Sequence, residues 1–331
     1  MLFGGVSRQS HAATFPPDRY YCLLDELPLH LLPRSASSQL RSENRTELYL
    51  NPACKLLSAE TLPEAFTYQK EIFSAFALQG TIALVRDERT GSFLPFWLGP
   101  ALEKVVQELR FNQPVPASIS QEMRSVLVAA GILIPRRRAE GSNPENQDWI
   151  TKARASYREK GYAALPGLIN RLHIAALRRY YRCLIRKGMI RLGDEQSSLR
   201  YVIHNEPVAR FFHQQIALLL SAVAGQPLKP SYVYLASYIS GAKLKKHVDR
   251  EQCEFSITFC LDFSPEPELA TPWPICLDSA NGKVEVYQAL GDGLAYRGTR
   301  LPHYRTRLGP GQTSTSIFFH YVSADFDGRL D

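Results

Sequence analysis

Two histidines and one aspartate have the types and spacing of a metal-binding facial triad. His247-Val-Asp249 is followed, after 53 intervening residues, by His303. Residues i and i+2 of a β-strand point to the same face, so His247 and Asp249 would present an imidazole and a carboxylate side by side. Two imidazoles and one carboxylate, with no thiolate, suit Fe(II) and leave the other coordination positions open for substrate and oxygen. The pattern therefore predicts a non-haem iron site.

The same residues also allow an interpretation without a metal. The pattern His-x-Asp recurs by chance in many chains, and here His247 directly follows Lys245 and Lys246, as in an exposed turn. His303 follows Pro302 and would then be an ordinary surface residue. The location of all three candidate ligands in the strand-rich half of the chain favours the metal site.

The residues around the triad resemble those of a known enzyme family. Tyr238, then Gly241, then His247-Val-Asp249 follow the order of tyrosine, glycine turn and His-x-Asp found in 2-oxoglutarate/Fe(II)-dependent oxygenases of the prolyl-4-hydroxylase-like superfamily. The stretch 291–305, which leads to the second histidine, is also similar to that family. The resemblance covers roughly residues 157–327 and leaves the N-terminal part of the chain unassigned.

This resemblance implies a double-stranded β-helix, or jelly roll, in which His247, Asp249 and His303 hold Fe(II). It also implies 2-oxoglutarate as co-substrate, O2 as oxidant and ascorbate as an additional reductant. The co-substrate would yield succinate and CO2 while a C–H bond of an amino acid, peptide or small metabolite is hydroxylated. Family members that transfer halide usually replace the carboxylate with a small residue, so Asp249 favours hydroxylation or a related oxidation.

The anchor for the distal carboxylate of 2-oxoglutarate departs from the family pattern. The family usually has Arg or Lys at a later position, which here falls at Gln312-Thr-Ser314. A buried carboxylate needs a cation or several hydrogen-bond donors. Each candidate arginine could instead be an ordinary solvated surface charge. If no residue binds the distal carboxylate, the enzyme would use a co-substrate other than 2-oxoglutarate. The candidates are Arg305 first, then Arg307, Arg250, Tyr238 and Ser314.

The C-terminal half has predicted helices first and strands later. Helical spacing of apolar residues predicts a helix over 169–187, and Asn205-Glu-Pro207 predicts the N-cap and start of a second helix that ends near Ala224. Residues 254–263 alternate, with a polar set that includes Ser256 and faces either the iron or solvent. Two helices bracing a β-sandwich or barrel make an α+β domain. Further strands are predicted over 232–239, 284–290, 293–297 and 314–322.

A polar segment predicts a boundary between two domains. Residues 136–147 contain Gly, Pro and Asn and lack apolar periodicity, as linkers do. The predicted domains are residues 1–140 and 148–331. The first is predicted to be smaller and mainly helical, with a winged-helix-like order of elements. That order consists of helices over 100–110 and 118–130 followed by a strand over 132–134, and a helical packing domain is the alternative. A separate short strand is predicted over 81–86.

Composition limits the classes of function. The 331 residues are 45% hydrophobic and 21% charged, which excludes a fibrous or wholly disordered chain. The longest apolar runs are too short to span a bilayer. Six cysteines without a C-x-x-C pair predict free thiols in a reducing, cytoplasmic compartment. The net charge is +7, but outside 178–186 no dense basic stripe contains aromatics, so nucleic acid is not the expected partner.

Two other functions are consistent with the sequence. A cupin-type metalloenzyme would use Fe, Mn or Ni without 2-oxoglutarate, and succinate formation separates it from the oxygenase. A binding module would combine the winged-helix-like region with a β-domain that recognises a peptide or nucleic acid. A steep fall of binding with salt would indicate nucleic acid.

Overall fold

The computed structural model describes residues 15–26, 47–58, 70–87, 89–136, 145–280 and 282–331. Within these ranges the chain folds as a mixed α+β protein, and a large antiparallel sheet dominates its C-terminal part. The predicted α+β class is therefore confirmed. All six cysteines are buried and free, as their spacing predicts.

The N-terminal part contains more strand than its sequence pattern predicts. Its strands are β1 (Leu48–Leu50), β2 (Cys54–Ser58), β3 (Thr81–Arg86), β4 (Phe93–Leu98) and β5 (Leu133–Pro135). Its helices are α1 (Lys70–Phe73), α2 (Pro100–Glu108) and α3 (Gln121–Ala129). The order of α2, α3 and β5 agrees with the prediction. Strand β4 was not predicted because it contains Pro95, a residue that is rare in strands; Pro95 is tolerated here because β4 lies at the edge of the sheet β2-β3-β4. In the described residues of this part, strands and helices occur in similar proportion, so its mainly helical character and its winged-helix-like type both stay predictions.

Two antiparallel sheets face each other in the C-terminal part. The larger has the order β6 (Tyr162–Leu165), β14 (Gly293–Arg297), β11 (Phe255–Ser264), β16 (Thr313–Ser323), β9 (Leu228–Tyr238), β8 (Arg200–His204) and β7 (Arg191–Leu192). The smaller has the order β10 (Leu244–His247), β15 (His303–Arg305), β12 (Ile275–Ser279) and β13 (Gly282–Val286). Leu277 of β12 packs against Leu294 and Tyr296 of β14 between the sheets. This arrangement is consistent with a double-stranded β-helix.

Alternation along β11 sends its side chains to two different places. Ile257 and Phe259 belong to the main hydrophobic core on the outer face of the large sheet, where the helices pack. Ser256 and Thr258 point the other way, toward the smaller sheet. Ser256 and Thr258 therefore line the interior between the sheets and do not face solvent, whereas Asp262, beyond a bulge after Cys260, pairs with Arg178 and Arg182 on the side of the helices.

Helices α4 (Glu145–Lys160), α5 (Arg171–Arg186) and α6 (Pro207–Ala224) pack against strands of the large sheet. The start of α6 agrees with the prediction, but its N-cap is Glu206 and not Asn205. The carboxylate of Glu206 accepts hydrogen bonds from the backbone N–H groups of Val208 and Ala209. Within the described ranges, every helix is too short or too polar to cross a membrane.

One hydrophobic core crosses the predicted domain boundary. Tyr20 and Trp97 of the N-terminal part belong to the same core as the buried faces of α5 and α6. The Tyr20 hydroxyl also forms a hydrogen bond with Nδ1 of His173 on α5. Residues 137–144 of the predicted linker lie outside the described residues, and α4 begins at Glu145, inside that linker. The division into two domains stays a prediction.

Candidate functional site

Two neighbouring strands bring the two predicted histidines together. His247 ends β10 and His303 begins β15, and the antiparallel register places these residues opposite each other. Their ring centroids lie 4.3 Å apart. Oδ1 of Asp249 lies 3.5 Å from Nε2 of His247 and 3.4 Å from Nε2 of His303. The three side chains thus form one cluster that is suited to hold a metal ion.

Backbone carbonyls fix the orientation of both imidazoles. Nδ1 of His247 lies 2.8 Å from the carbonyl oxygen of Lys245, and Nδ1 of His303 lies 3.0 Å from that of Leu301. Because a carbonyl only accepts, each Nδ1 carries a proton, and Nε2 of each neutral imidazole then holds a lone pair. With both imidazoles neutral, two nitrogen lone pairs and a carboxylate oxygen therefore converge, and they repel one another unless a proton or a metal cation lies between them. This donor set, with its hydrogen-bonded outer partners, fits a divalent metal.

The electrostatics of the triad favour positive charge beside Asp249. Hydrogen bonding to Asp249 raises the pKa of His247 above its ordinary value, against the opposing effect of burial. Burial acts to raise the pKa of Asp249, but hydrogen bonding to His247 and His303 outweighs it and holds that pKa well below its ordinary value. The carboxylate is therefore ionised at neutral pH, as a metal ligand must be.

Contacts from the segment that follows β14 and from β11 hold Asp249 in place. Asp249 lies beyond the end of β10, and its backbone N–H donates to the carbonyl oxygen of Gly298 over 2.9 Å. Its Oδ2 accepts a hydrogen bond from Oγ of Ser256 over 3.1 Å. A Cβ atom at Gly298 would overlap Oδ2 of Asp249 and the carbonyl oxygen of Cys253. Only glycine lets the chain approach this closely, and the requirement is steric because the φ angle of Gly298 is not in the left-handed region.

Replacing Gly298 with alanine is expected to weaken metal binding by roughly tenfold or more, because the new methyl group would displace the Asp249 carboxylate. Anaerobic calorimetric titration with Fe(II) measures the affinity. Gly309→Ala is the matched control, since its Cβ would meet only the end of the flexible Gln312 side chain. Wild-type affinity in Gly298→Ala would show that the close approach does not fix the ligand.

The triad lies in the wall of a cavity of about 540 Å³. A cavity of this size suits a small molecule or one side chain of a larger substrate. The charged residues that line it besides the triad are Arg191, Asp194, Glu195, Arg200 and Arg250. Aromatic rings form much of the remaining wall, namely His204, Tyr232, Tyr234, Tyr238, Tyr296, Phe318 and His320.

The five residues predicted to surround the co-substrate lie in different environments. Tyr238 and Arg250 line the cavity, and Arg250 donates a hydrogen bond to the hydroxyl of Tyr232. Arg305 and Ser314 are buried without lining it, whereas Arg307 is exposed and outside its lining. Of these two arginines, only Arg305 therefore places its charge in the interior of the structure.

Arg305 is a buried cation without an acidic partner among the described residues. Its side chain is 4% exposed, and one terminal nitrogen donates to the carbonyl oxygen of Trp273 over 2.7 Å. Its Nε has no hydrogen-bond partner in the described part of the chain. Burial lowers the pKa of Arg305, and the largest effects that counter burial come from Tyr238, Cys260 and Tyr296. A buried guanidinium without a counter-ion is costly, so this position favours binding of an anion.

Arg200 and Tyr296 are cavity residues that the sequence pattern does not indicate. Two nitrogens of Arg200 bind the carboxylate of Asp194 and a third donates to the hydroxyl of Tyr238, so its charge is already offset. The Tyr296 ring lies 4.8 Å from the ring of His303. Both positions depend on strand pairing across the sheet, which a single-residue pattern does not reveal.

Three solved structures show what this chain is similar to. The non-heme alpha ketoglutarate dependent epimerase SnoN from nogalamycin biosynthesis aligns with a TM-score of 0.46 and 16% identity, over 54% of this chain and 82% of that chain. A Pseudomonas putida prolyl-4-hydroxylase aligns with a TM-score of 0.44 and 12% identity, over 53% of this chain and 100% of that chain. HygX from Streptomyces hygroscopicus, with nickel, 2-oxoglutarate and hygromycin B bound, aligns with a TM-score of 0.43 and 13% identity, over 53% of this chain and 88% of that chain.

The chain thus has a structural match to 2-oxoglutarate/Fe(II) oxygenases over about half of its length. No protein-family model and no curated protein matches it.

Proposed function

We propose that the protein is an Fe(II)- and 2-oxoglutarate-dependent oxygenase that hydroxylates a C–H bond of an amino acid, peptide or small metabolite. The observation that carries the proposal is the convergence of Nε2 of His247, Nε2 of His303 and Oδ1 of Asp249 in the cavity wall. Two histidines and one carboxylate occupy one face of a metal ion and leave its other positions open. Such a set is typical of non-haem Fe(II) oxygenases.

Arg305 supports 2-oxoglutarate as the co-substrate. Arg305 follows His303 by two residues on β15, so the two side chains share a face of the strand. 2-Oxoglutarate has a keto acid at one end, which chelates a metal, and a second carboxylate at the other end, which needs a cation. The Tyr238 hydroxyl accepts a hydrogen bond from Arg200 and so has its own proton available to donate to that carboxylate.

The residues of this chain bind and orient, and the bound groups supply the oxidation. When bound, these groups would supply the chemistry by which R–H, O2 and 2-oxoglutarate become R–OH, succinate and CO2. The triad would hold the metal, Arg305 would hold the co-substrate, and the aromatic wall would orient the substrate. The proposed partners are O2 and a small molecule or peptide, with ascorbate as reductant and the cytoplasm as compartment.

Binding of 2-oxoglutarate to the full chain tests this function directly. The metal-free protein and the Mn(II)-loaded protein are titrated with 2-oxoglutarate in a calorimeter without O2. Succinate is then measured by mass spectrometry after addition of Fe(II) and O2. We expect 2-oxoglutarate to bind only the metal-loaded protein and succinate to form only with both Fe(II) and O2. Metal binding without binding of 2-oxoglutarate would contradict the proposal and favour a cupin-type metalloenzyme.

A further inference from the structure

The second oxygen of the Asp249 carboxylate lies in its own cluster of polar groups. Oδ2 faces away from the two histidine ligands and toward Ser256, Cys253 and His320. Ser256 is fully buried, and Cys253 and His320 are 2% and 5% exposed. These groups take no part in the proposed metal set, so their arrangement needs its own explanation.

The hydroxyl of Ser256 connects Asp249 to His320. Its Oγ lies 3.1 Å from Oδ2 of Asp249, 3.1 Å from the carbonyl oxygen of Cys253 and 2.9 Å from Nδ1 of His320. The first two neighbours only accept, so the single hydroxyl proton is donated to them. Nδ1 of His320 must then carry a proton and donate it to Oγ. The direction of the hydrogen bonds is therefore His320 to Ser256 to Asp249.

His320 is itself held from two sides. Its ring packs against the ring of Tyr232 with centroids 4.8 Å apart. Its backbone carbonyl oxygen accepts a hydrogen bond from Nε2 of His213 on α6 over 2.7 Å. His320, the first donor of this series of hydrogen bonds, is thus held by β16 and by a contact with α6. The series ends at the carboxylate of Asp249.

We propose that Ser256 and His320 are positioning residues that hold Oδ2 of Asp249, so that only Oδ1 is presented to the metal. This inference rests on the proposed function, since it assigns a role within the same metal centre. A carboxylate held in this way binds through one oxygen and does not occupy a second coordination position. The positions needed by the chelating co-substrate and O2 then stay open.

A second metal ion bound by Asp249, Cys253 and His320 is the competing explanation, because these three side chains also lie within reach of one ion. The Ser256 hydroxyl, however, already bridges Asp249 and His320, and the Tyr232 hydroxyl lies 3.0 Å from Sγ of Cys253. Oδ2 of Asp249, Nδ1 of His320 and Sγ of Cys253 therefore each have a partner without an ion. The number of metal ions bound per chain decides between the two.

Titration of the full chain with Co(II), without 2-oxoglutarate, tests the inference. The visible absorption of the bound ion gives the affinity, the number of ions and a signature of coordination. We expect Ser256→Ala to lower the affinity by about tenfold to a hundredfold and to shift the spectrum. Ser256→Thr, which keeps the hydroxyl, should bind like the wild type. Ser316→Ala is the matched control, since Ser316 is a buried serine on β16 without a described hydrogen-bond partner.

Two variants of His320 test the other end of the chain independently of Ser256. Asparagine places an N–H at the position of Nδ1, so His320→Asn should keep most of the affinity, whereas His320→Leu should lower it.

Wild-type affinity and spectrum in Ser256→Ala would overturn the inference and leave the proposed function intact. Two Co(II) ions per wild-type chain would overturn it in favour of a second metal site. No Co(II) binding by the wild type would overturn the proposed metal centre itself.

Discussion

Replacing Asp249 with alanine is expected to lower the affinity for Fe(II) by about a hundredfold or more and to abolish succinate formation. Asp249 is the anionic member of the triad, and its Oδ1 lies within 3.5 Å of both histidine Nε2 atoms. Without it, two neutral imidazoles would have to hold a doubly charged ion alone. Calorimetric titration measures the first effect, and mass spectrometry of succinate measures the second.

Asp278→Ala is the matched control for this prediction. Asp278 lies on β12 of the same sheet and forms an ion pair with Lys246 of β10, the strand that ends at His247. An exposed ion pair contributes only about 0–1 kcal/mol, so Asp278→Ala should keep both metal affinity and succinate formation. Asp249→Asn, which keeps an oxygen but loses the charge, should lie between alanine and the wild type. Tight Fe(II) binding by Asp249→Ala would place the metal elsewhere.

The candidate metal-binding cluster was predictable because His247 and Asp249 are two residues apart and His303 follows in another predicted strand region. The argument from strand geometry explains only part of it, since His247 ends β10 and Asp249 lies beyond that strand. What positions Asp249 is its contact with Gly298 and Ser256, on segments that follow β14 and begin β11. Those contacts arise when the strands pair, and no pattern within one segment indicates them.

The sequence predicts on which face of the sheet a residue lies better than it predicts which residues of other strands it contacts. Period-two alternation in β11 separates Ile257 and Phe259 from Ser256, and the structure places the two sets on opposite sides. Alternation does not say which side faces the candidate metal site, because that depends on where the helices pack. Arg200 shows the same limit, since its role follows from its pairing with Asp194 and from its register opposite Tyr238.

Replacing Arg305 with glutamine is expected to weaken binding of 2-oxoglutarate by about a hundredfold, while metal affinity stays near the wild-type value. Loss of a buried charge from a paired anion costs about 3 kcal/mol, and 1.4 kcal/mol corresponds to tenfold in affinity. Arg307→Gln is the matched control, because Arg307 lies two residues further along and is exposed. The same loss in Arg307→Gln, with none in Arg305→Gln, would reverse the assignment.

A ligand without the distal carboxylate separates charge recognition from a general disturbance of the site. 2-Oxopentanoate has the same chain length and the same chelating keto acid, but a methyl group in place of the second carboxylate. If Arg305 binds that carboxylate, Arg305→Gln should weaken 2-oxoglutarate strongly and 2-oxopentanoate hardly at all. Arg200 is the alternative cation because it lines the cavity directly, yet Asp194 already offsets its charge. Selective loss of 2-oxoglutarate binding in Arg200→Gln, but not in Arg305→Gln, would transfer the role to Arg200.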